Sequence, residues 1–170
     1  MHLLVLQKPG YPHRYALISR EGELLLLDFH QETLEEDLDT ALAVVAEPGR
    51  VLILQTHADP ALQEARERLH LLLPEANSLV PEDDLSALAP RRFGRHGLQI
   101  LPMGFGFWGY ALGNYLFLGS ARDQTGRWRG DAEGSKLVAQ HGAERQRLWA
   151  FPATAEKVID LALLRARRAA

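Results

Sequence analysis

The hydrophobic pattern changes period along the chain, and each change marks an element. In "HRYALISREGELLLLDF", Tyr15 to Ser19 and Leu24 to Asp28 flank Arg20, Glu21 and Gly22, which predicts a hairpin. Its second strand is apolar on successive residues, as in a strand covered on both faces. The period then lengthens. Leu34, Leu38, Ala41, Leu42 and Val45 recur at helical spacing, Thr33 with Glu36 fits a capping box, and Pro48 and Gly49 stop the helix. "VLIL" (Val51 to Leu54) predicts a short buried strand. "DPALQEARERLHLLLP" predicts a second amphipathic helix with Leu62, Ala65, Leu69 and Leu72 inward.

The second half repeats the alternation less regularly. "NSLV", "LQIL", "YLFLG" and "LWAF" predict strands, and "PEDDLSAL" predicts a short helix. Between "LQIL" and "YLFLG" lies a glycine- and aromatic-rich segment, "PMGFGFWGYALGN". "DQTGRWRGDAEG" reads as a polar loop. Helices are expected from about Ser135 to Arg147 and from Thr154, a plausible N-cap, to about Arg167. No internal repeat, low-complexity tract or linker interrupts the pattern. This order predicts an α/β layered domain with a mixed sheet, rather than a bundle or a β-sandwich.

Composition narrows the function more by exclusion than by assignment. With 170 residues, the expectation is a single domain over 1–170. The net charge of −3 and pI near 6.2 give no support for a nucleic-acid partner. Arg91 to His96 and Arg165 to Arg168 are basic clusters; the second reads as a solvated helix end, with an anion or nucleic-acid site as the lesser alternative. The absence of cysteine excludes disulfides and thiolate metal sites. No apolar run approaches the ~20 residues that span a bilayer, so no membrane role is expected. The opening "MHLLVLQKPG" is too quickly broken for a signal peptide. An arginine-, leucine- and alanine-rich, cysteine-free chain is expected to be a cytoplasmic bacterial protein.

The order of elements, with the residues at their ends, resembles the metallo-β-lactamase superfamily. "RYALISREGELLLLDF" is similar to the family's opening hairpin, with Asp28 at its end. "QTHADPAL" stands where the family carries T-H-x-H-x-D-H. "LQILPMGFGFWGYALGNYLFLGS" stands where it has a Gly-His turn and a Gly-Asp pair, and "LWAFPAT" where it has Pro-Gly-His. The resemblance implies a shortened four-layer αββα sandwich with mixed sheets. It also implies loops that hold one or two metal ions, usually zinc, which activate water for hydrolysis.

Carried over residue by residue, the ligand set is incomplete. Thr56 and His57 match the motif's first letters, and the second His position is Asp59. The next ligand positions hold Ala61 and Leu62. The Gly-His is Gly104–Phe105, the bridging Asp is Ser120, and no His stands near Ala153 and Thr154. A catalytic zinc needs about three protein ligands and an open position. His57 and Asp59 supply two at most, and Asp59 before Pro60 also makes a well-formed helix start. His57 reads either as a residual ligand or general base, or as a remnant that bonds nearby backbone. Asp28 reads as architectural. His30 and His141 are within conceivable reach of the same cleft, whereas His70 reads as a boundary residue. "GFGFWGY" (Gly104 to Tyr110) reads either as a pocket or dimer patch, or as a tight turn with aromatics in the core.

The expectation is therefore a non-catalytic protein of this fold that has lost its metal site, without a cofactor. It would act as a binding or interaction module for a small molecule or a protein, with a homodimer as one form. The candidate pocket is His57, Asp59, Asp28, Phe105, Trp108 and Ser120. The alternative is a metal-dependent hydrolase, with zinc in a reduced site at His57 and Asp59.

Overall fold

The computed structural model describes residues 1–81, 91–121, 127–144, 149–152 and 159–160. Its first sheet runs in sequence order through β1 (His2–Leu6), β2 (Arg14–Ile18), β3 (Glu23–Leu27), β4 (Arg50–Leu54) and β5 (Asn77–Leu79). β1 to β3 pair antiparallel, and β3, β4 and β5 pair parallel. The second sheet holds β6 (Arg91–Phe93), β7 (His96–Pro102), β8 (Trp108–Leu112), β9 (Tyr115–Gly119), β10 (Trp149–Pro152) and β11 (Ile159–Asp160), adjacent in that order. Only β9 and β10 pair parallel there. The helices are α1 (Leu34–Leu42), α2 (Pro60–Leu72) and α3 (Ala132–Glu144), and a 3-10 turn at Gln31–Thr33 leads into α1.

The continuous apolar runs resolve into two faces. Tyr15, Leu17, Leu25, Leu27, Leu52 and Leu54 point between the sheets and meet Phe93, Leu98, Trp108, Tyr110, Leu112 and Phe117. Their neighbours Ala16, Ile18, Leu24, Leu26, Val51 and Ile53 point outward and are covered by Leu34, Leu38 and Ala41 of α1 and Ala65 and Leu69 of α2. On the far side Ala111, Leu116 and Leu118 pack with Val138 of α3. Three apolar layers thus separate four structural layers, α, β, β and α, as the resemblance implies. Alternation of period two is the cause: a strand buried on both faces needs apolar residues at every position.

One buried ion pair crosses the first of these layers. Arg14 Nε and Nη2 donate to the two oxygens of Asp37 at 2.8 and 2.9 Å, and the Thr33 hydroxyl donates to Asp37 at 2.6 Å. This corrects the expected capping box: Thr33 makes no side-chain cap, and the neighbouring Glu36 pairs with Lys8 instead. The pull of a buried carboxylate and guanidinium outweighs a surface cap.

Other expectations are revised. β1, β6 and β8 lie in segments read as a broken start, a basic cluster and a glycine-rich connection. Leu72 is half exposed rather than inward. α3 begins at Ala132, before the expected Ser135, because Asp131 caps it by accepting the Gly134 N–H at 2.7 Å. Of the expected last helix, Ile159–Asp160 pair instead as a strand with β10. Thr154, the cluster Arg165 to Arg168 and most of "PEDDLSAL" lie outside the described residues. Among the described residues no helix is long and apolar enough to cross a membrane.

Candidate functional site

The carboxyl ends of β3, β4 and β9 and the β7–β8 turn meet at one edge of the sandwich. Hydrogen bonds staple the sheets there. Trp108 N donates to Thr56 O at 2.6 Å, and the Tyr110 hydroxyl donates to Gln55 O at 2.7 Å. Gln55 is buried, and its side-chain amide donates to Leu62 O, fixing the start of α2 below the edge.

Asp28, just past β3, is the buried centre of this edge. It takes a left-handed backbone, φ +54°, which Asp tolerates better than most residues. Its Oδ1 accepts the Thr56 N–H at 2.8 Å, and its Oδ2 accepts the Thr56 hydroxyl at 2.6 Å. Burial pushes the Asp28 carboxyl above the usual carboxylate range. His57 and the two bonds from Thr56 pull the other way. Thr56 Oγ1 lies 3.3 Å from His57 Nδ1, so the chain Asp28–Thr56–His57 runs from the core to the surface. Gly119 permits it: its φ is +50°, and any Cβ there would collide with the Thr56 side chain.

Above this chain lies an open cavity of about 330 Å³, lined by His57, Ala58, Asp59, Phe105, Gly106, Phe107, Ser120 and Arg129. Asp59 caps α2, its Oδ1 accepting the Ala61 N–H at 2.8 Å with Pro60 in the first helical position. The Phe107 ring lies 6.0 Å from the His57 ring, and the Arg129 guanidinium sits over the Phe107 ring at 5.3 Å from its centroid.

Of the sequence-derived candidates, His57, Asp59, Phe105 and Ser120 line the cavity, and Asp28 lies beneath it. Trp108 is a correction. Its backbone joins the edge, but its side chain is buried between the sheets against Tyr110, so it offers no surface to a ligand or a second copy. His30 stacks edge-on against Tyr11 and His141 is buried on α3; neither lines the cavity. His70 lies beside Ser78, at the boundary where it was expected. Phe107 lines the cavity, as the pocket reading of Gly104 to Tyr110 had it, and Arg129 was missed. The sequence signal for Arg129 was its place two residues before the cap Asp131, in a segment read only as a polar loop.

Neither a protein-family model nor a curated protein sequence matches the chain. Solved structures do. ETHE1 from Myxococcus xanthus superimposes with a TM-score of 0.69 at 18% identity, over 95% of this chain and 80% of that one. The BLEG-1 B3 metallo-β-lactamase gives 0.67 at 16%, over 94% of each chain. The protein has the metallo-β-lactamase fold. A peroxy diiron species of the chemotaxis sensor ODP is also similar, with a TM-score of 0.63 at 14% identity, over 98% of this chain and 92% of that one.

The fold raises the question of a resident metal, and the donors at the edge answer it poorly. His57 brings one imidazole. Asp59 has one carboxylate oxygen engaged by the α2 backbone. Leu62 is buried in place of a ligand, and Phe105 carries an apolar ring where a His would stand. Among the described residues no group of three His, Asp or Glu side chains is placed to hold a metal ion. These residues do not fit a metal held by about three protein ligands.

Proposed function

We propose that this protein is a non-catalytic binding module on the metallo-β-lactamase fold, taking a small molecule into the cavity at the ends of β4 and β9. The observation that carries this reading is the commitment of Asp59. Its carboxylate caps α2, so the edge presents a single imidazole, a cation, a hydroxyl and two phenyl rings. Such a mixture of apolar walls and a few convergent polar groups suits ligand binding. The competing reading is a metal-dependent hydrolase with a reduced site at His57 and Asp59.

Metal content separates the two. The protein, purified without a metal-affinity tag, is expected to carry far less than one equivalent of zinc, iron or manganese, and zinc is expected to leave its melting temperature unchanged. Near-stoichiometric metal that disappears in His57→Ala would overturn the proposal. Asp59 gives an independent check. Asp59→Ala should cost about 1 kcal/mol, and Asp59→Asn, which retains a cap, only a few tenths. A large, metal-dependent loss in Asp59→Asn would favour the hydrolase.

A further inference from the structure

Phe105 sits against two of its own preferences. Its side chain is 79% exposed, so the hydrophobic effect gives it nothing. Its φ is +52°, the left-handed region that a Cβ disfavours. The next residue, Gly106, has φ +74°, and Phe107 N–H donates to Gly104 O at 3.0 Å. Positive φ at both central residues of a hydrogen-bonded turn is the pattern of type I′ hairpin turns, where Asn, Asp or Gly is favoured at the position Phe105 holds.

The turn does not need the ring. It is tied down by Met103 N–H to Phe107 O at 2.8 Å and by Asp131 N–H to Met103 O at 2.8 Å. Gly104 lets the Asp131 side chain pack against it, closer than any Cβ would allow. The other non-glycine residue with positive φ among the described residues, Asp28, differs in kind: its side chain bonds Thr56 and is buried. Phe105 has no such compensation, and such strain concentrates at ligand clamps.

Arg129 completes the picture from the other wall. Its backbone is fixed by Arg129 N–H to Ala121 O at 2.8 Å. Its guanidinium rests on Phe107, and among the described residues it makes no ion pair. Asp59, the carboxylate in the same cavity, is turned into the α2 terminus, whose partial positive charge offsets it. The cavity therefore offers a placed cation, two phenyl rings and the Ser120 hydroxyl in about 330 Å³, the lower end of small-molecule sites.

From this we infer that the cavity binds a small aromatic monoanion, its ring covered by Phe105 and its charged group held by Arg129. The inference rests on the binding-module reading and gives it a ligand class. A carboxylate suits the guanidinium fork, and a one- or two-ring body suits a cavity lined by Phe105 and Phe107.

The test is calorimetric titration with 2-naphthoate, with 2-naphthylmethanol (same rings, no charge) and hexanoate (charge, no ring) as comparison probes. Wild type should bind 2-naphthoate one to one, and each comparison probe at least tenfold more weakly. Arg129→Gln should erase the preference for naphthoate over naphthylmethanol. Phe105→Asn should weaken naphthoate binding about tenfold while raising the melting temperature by roughly 2 °C, because Asn suits the turn. No naphthoate binding to wild type overturns the inference, as does equal affinity for either comparison probe. So does a Phe105→Asn protein that binds normally. Metal content of the same sample keeps the two readings apart. Bound stoichiometric metal defeats the binding-module reading whatever naphthoate does. A metal-free protein that ignores naphthoate defeats only the ligand class.

Discussion

Two buried aspartates, nine residues apart in sequence, are held in opposite ways. Asp37 accepts a threonine hydroxyl at 2.6 Å and two bonds from Arg14, closing a network in which each charge faces its opposite. Asp28 also accepts a threonine hydroxyl at 2.6 Å, but its second partner is a backbone N–H, and the chain continues through Thr56 to His57 at the cavity. The closed network lies between β2 and α1 and joins elements. The open one lies at the strand ends, where its last member meets solvent. A buried carboxylate with a full set of partners joins elements; one whose network leads outward sets a side chain at the wall of a cavity.

The largest way to break the comparison is to remove the cation from the closed network. Arg14→Met leaves Asp37 buried and uncompensated, and urea denaturation should show a loss of about 3–5 kcal/mol. Adding Asp37→Leu should recover much of it, since the uncompensated charge is then gone. Failure to recover would mean that Arg14 acts through packing alone. Next come the two threonines. Thr56→Val should cost about 1–3 kcal/mol, because Asp28 keeps only one hydrogen bond. Thr33→Val should cost less, because Asp37 keeps both bonds from Arg14. Equal losses would abolish the distinction between open and closed.

The smallest effect is a pH slope. Burial raises the Asp28 carboxyl above its ordinary 3.8, so the folded protein holds that proton more tightly than the unfolded chain does. The contribution is present at pH below the ordinary value and is lost as pH rises through the raised one. Asp28→Asn removes it, and Asn also tolerates the left-handed backbone. The melting temperature of the variant relative to wild type should therefore climb as pH rises from the ordinary carboxylate value through the raised one, most steeply between the two. A flat difference would place the Asp28 titration at its unperturbed value.

Much of this was legible in the chain. Asp59–Pro60 announces the start of α2, since a cap and a proline at the first turn act locally. The runs Leu24 to Leu27 and Val51 to Leu54 announce strands covered on both sides. His57, Asp59, Phe105 and Ser120 were found because the resemblance orders the loops that follow the strands. Arg129 was not, because it lies nine residues after Ser120 and reaches the cavity only through the Arg129–Ala121 backbone bond. Trp108 was misplaced by the pocket reading of Gly104 to Tyr110, whereas β8 begins at Trp108 and its ring joins the core between the sheets, as the other reading had it.

The sequence by itself determined the succession from β2 to α2, the helix start at Asp59, the absence of thiol chemistry and the thinning of the expected ligand set. These follow from local spacing and residue type. Tertiary structure alone decided which apolar residues face which layer, the closure of Arg14 on Asp37, the approach of Gly119 to Thr56 and the position of Arg129 over Phe107. The physical reason is range. A strand buried on both faces carries no alternating signal, and a hydrogen bond or stacked cation between residues dozens of positions apart leaves no mark on the residues between them.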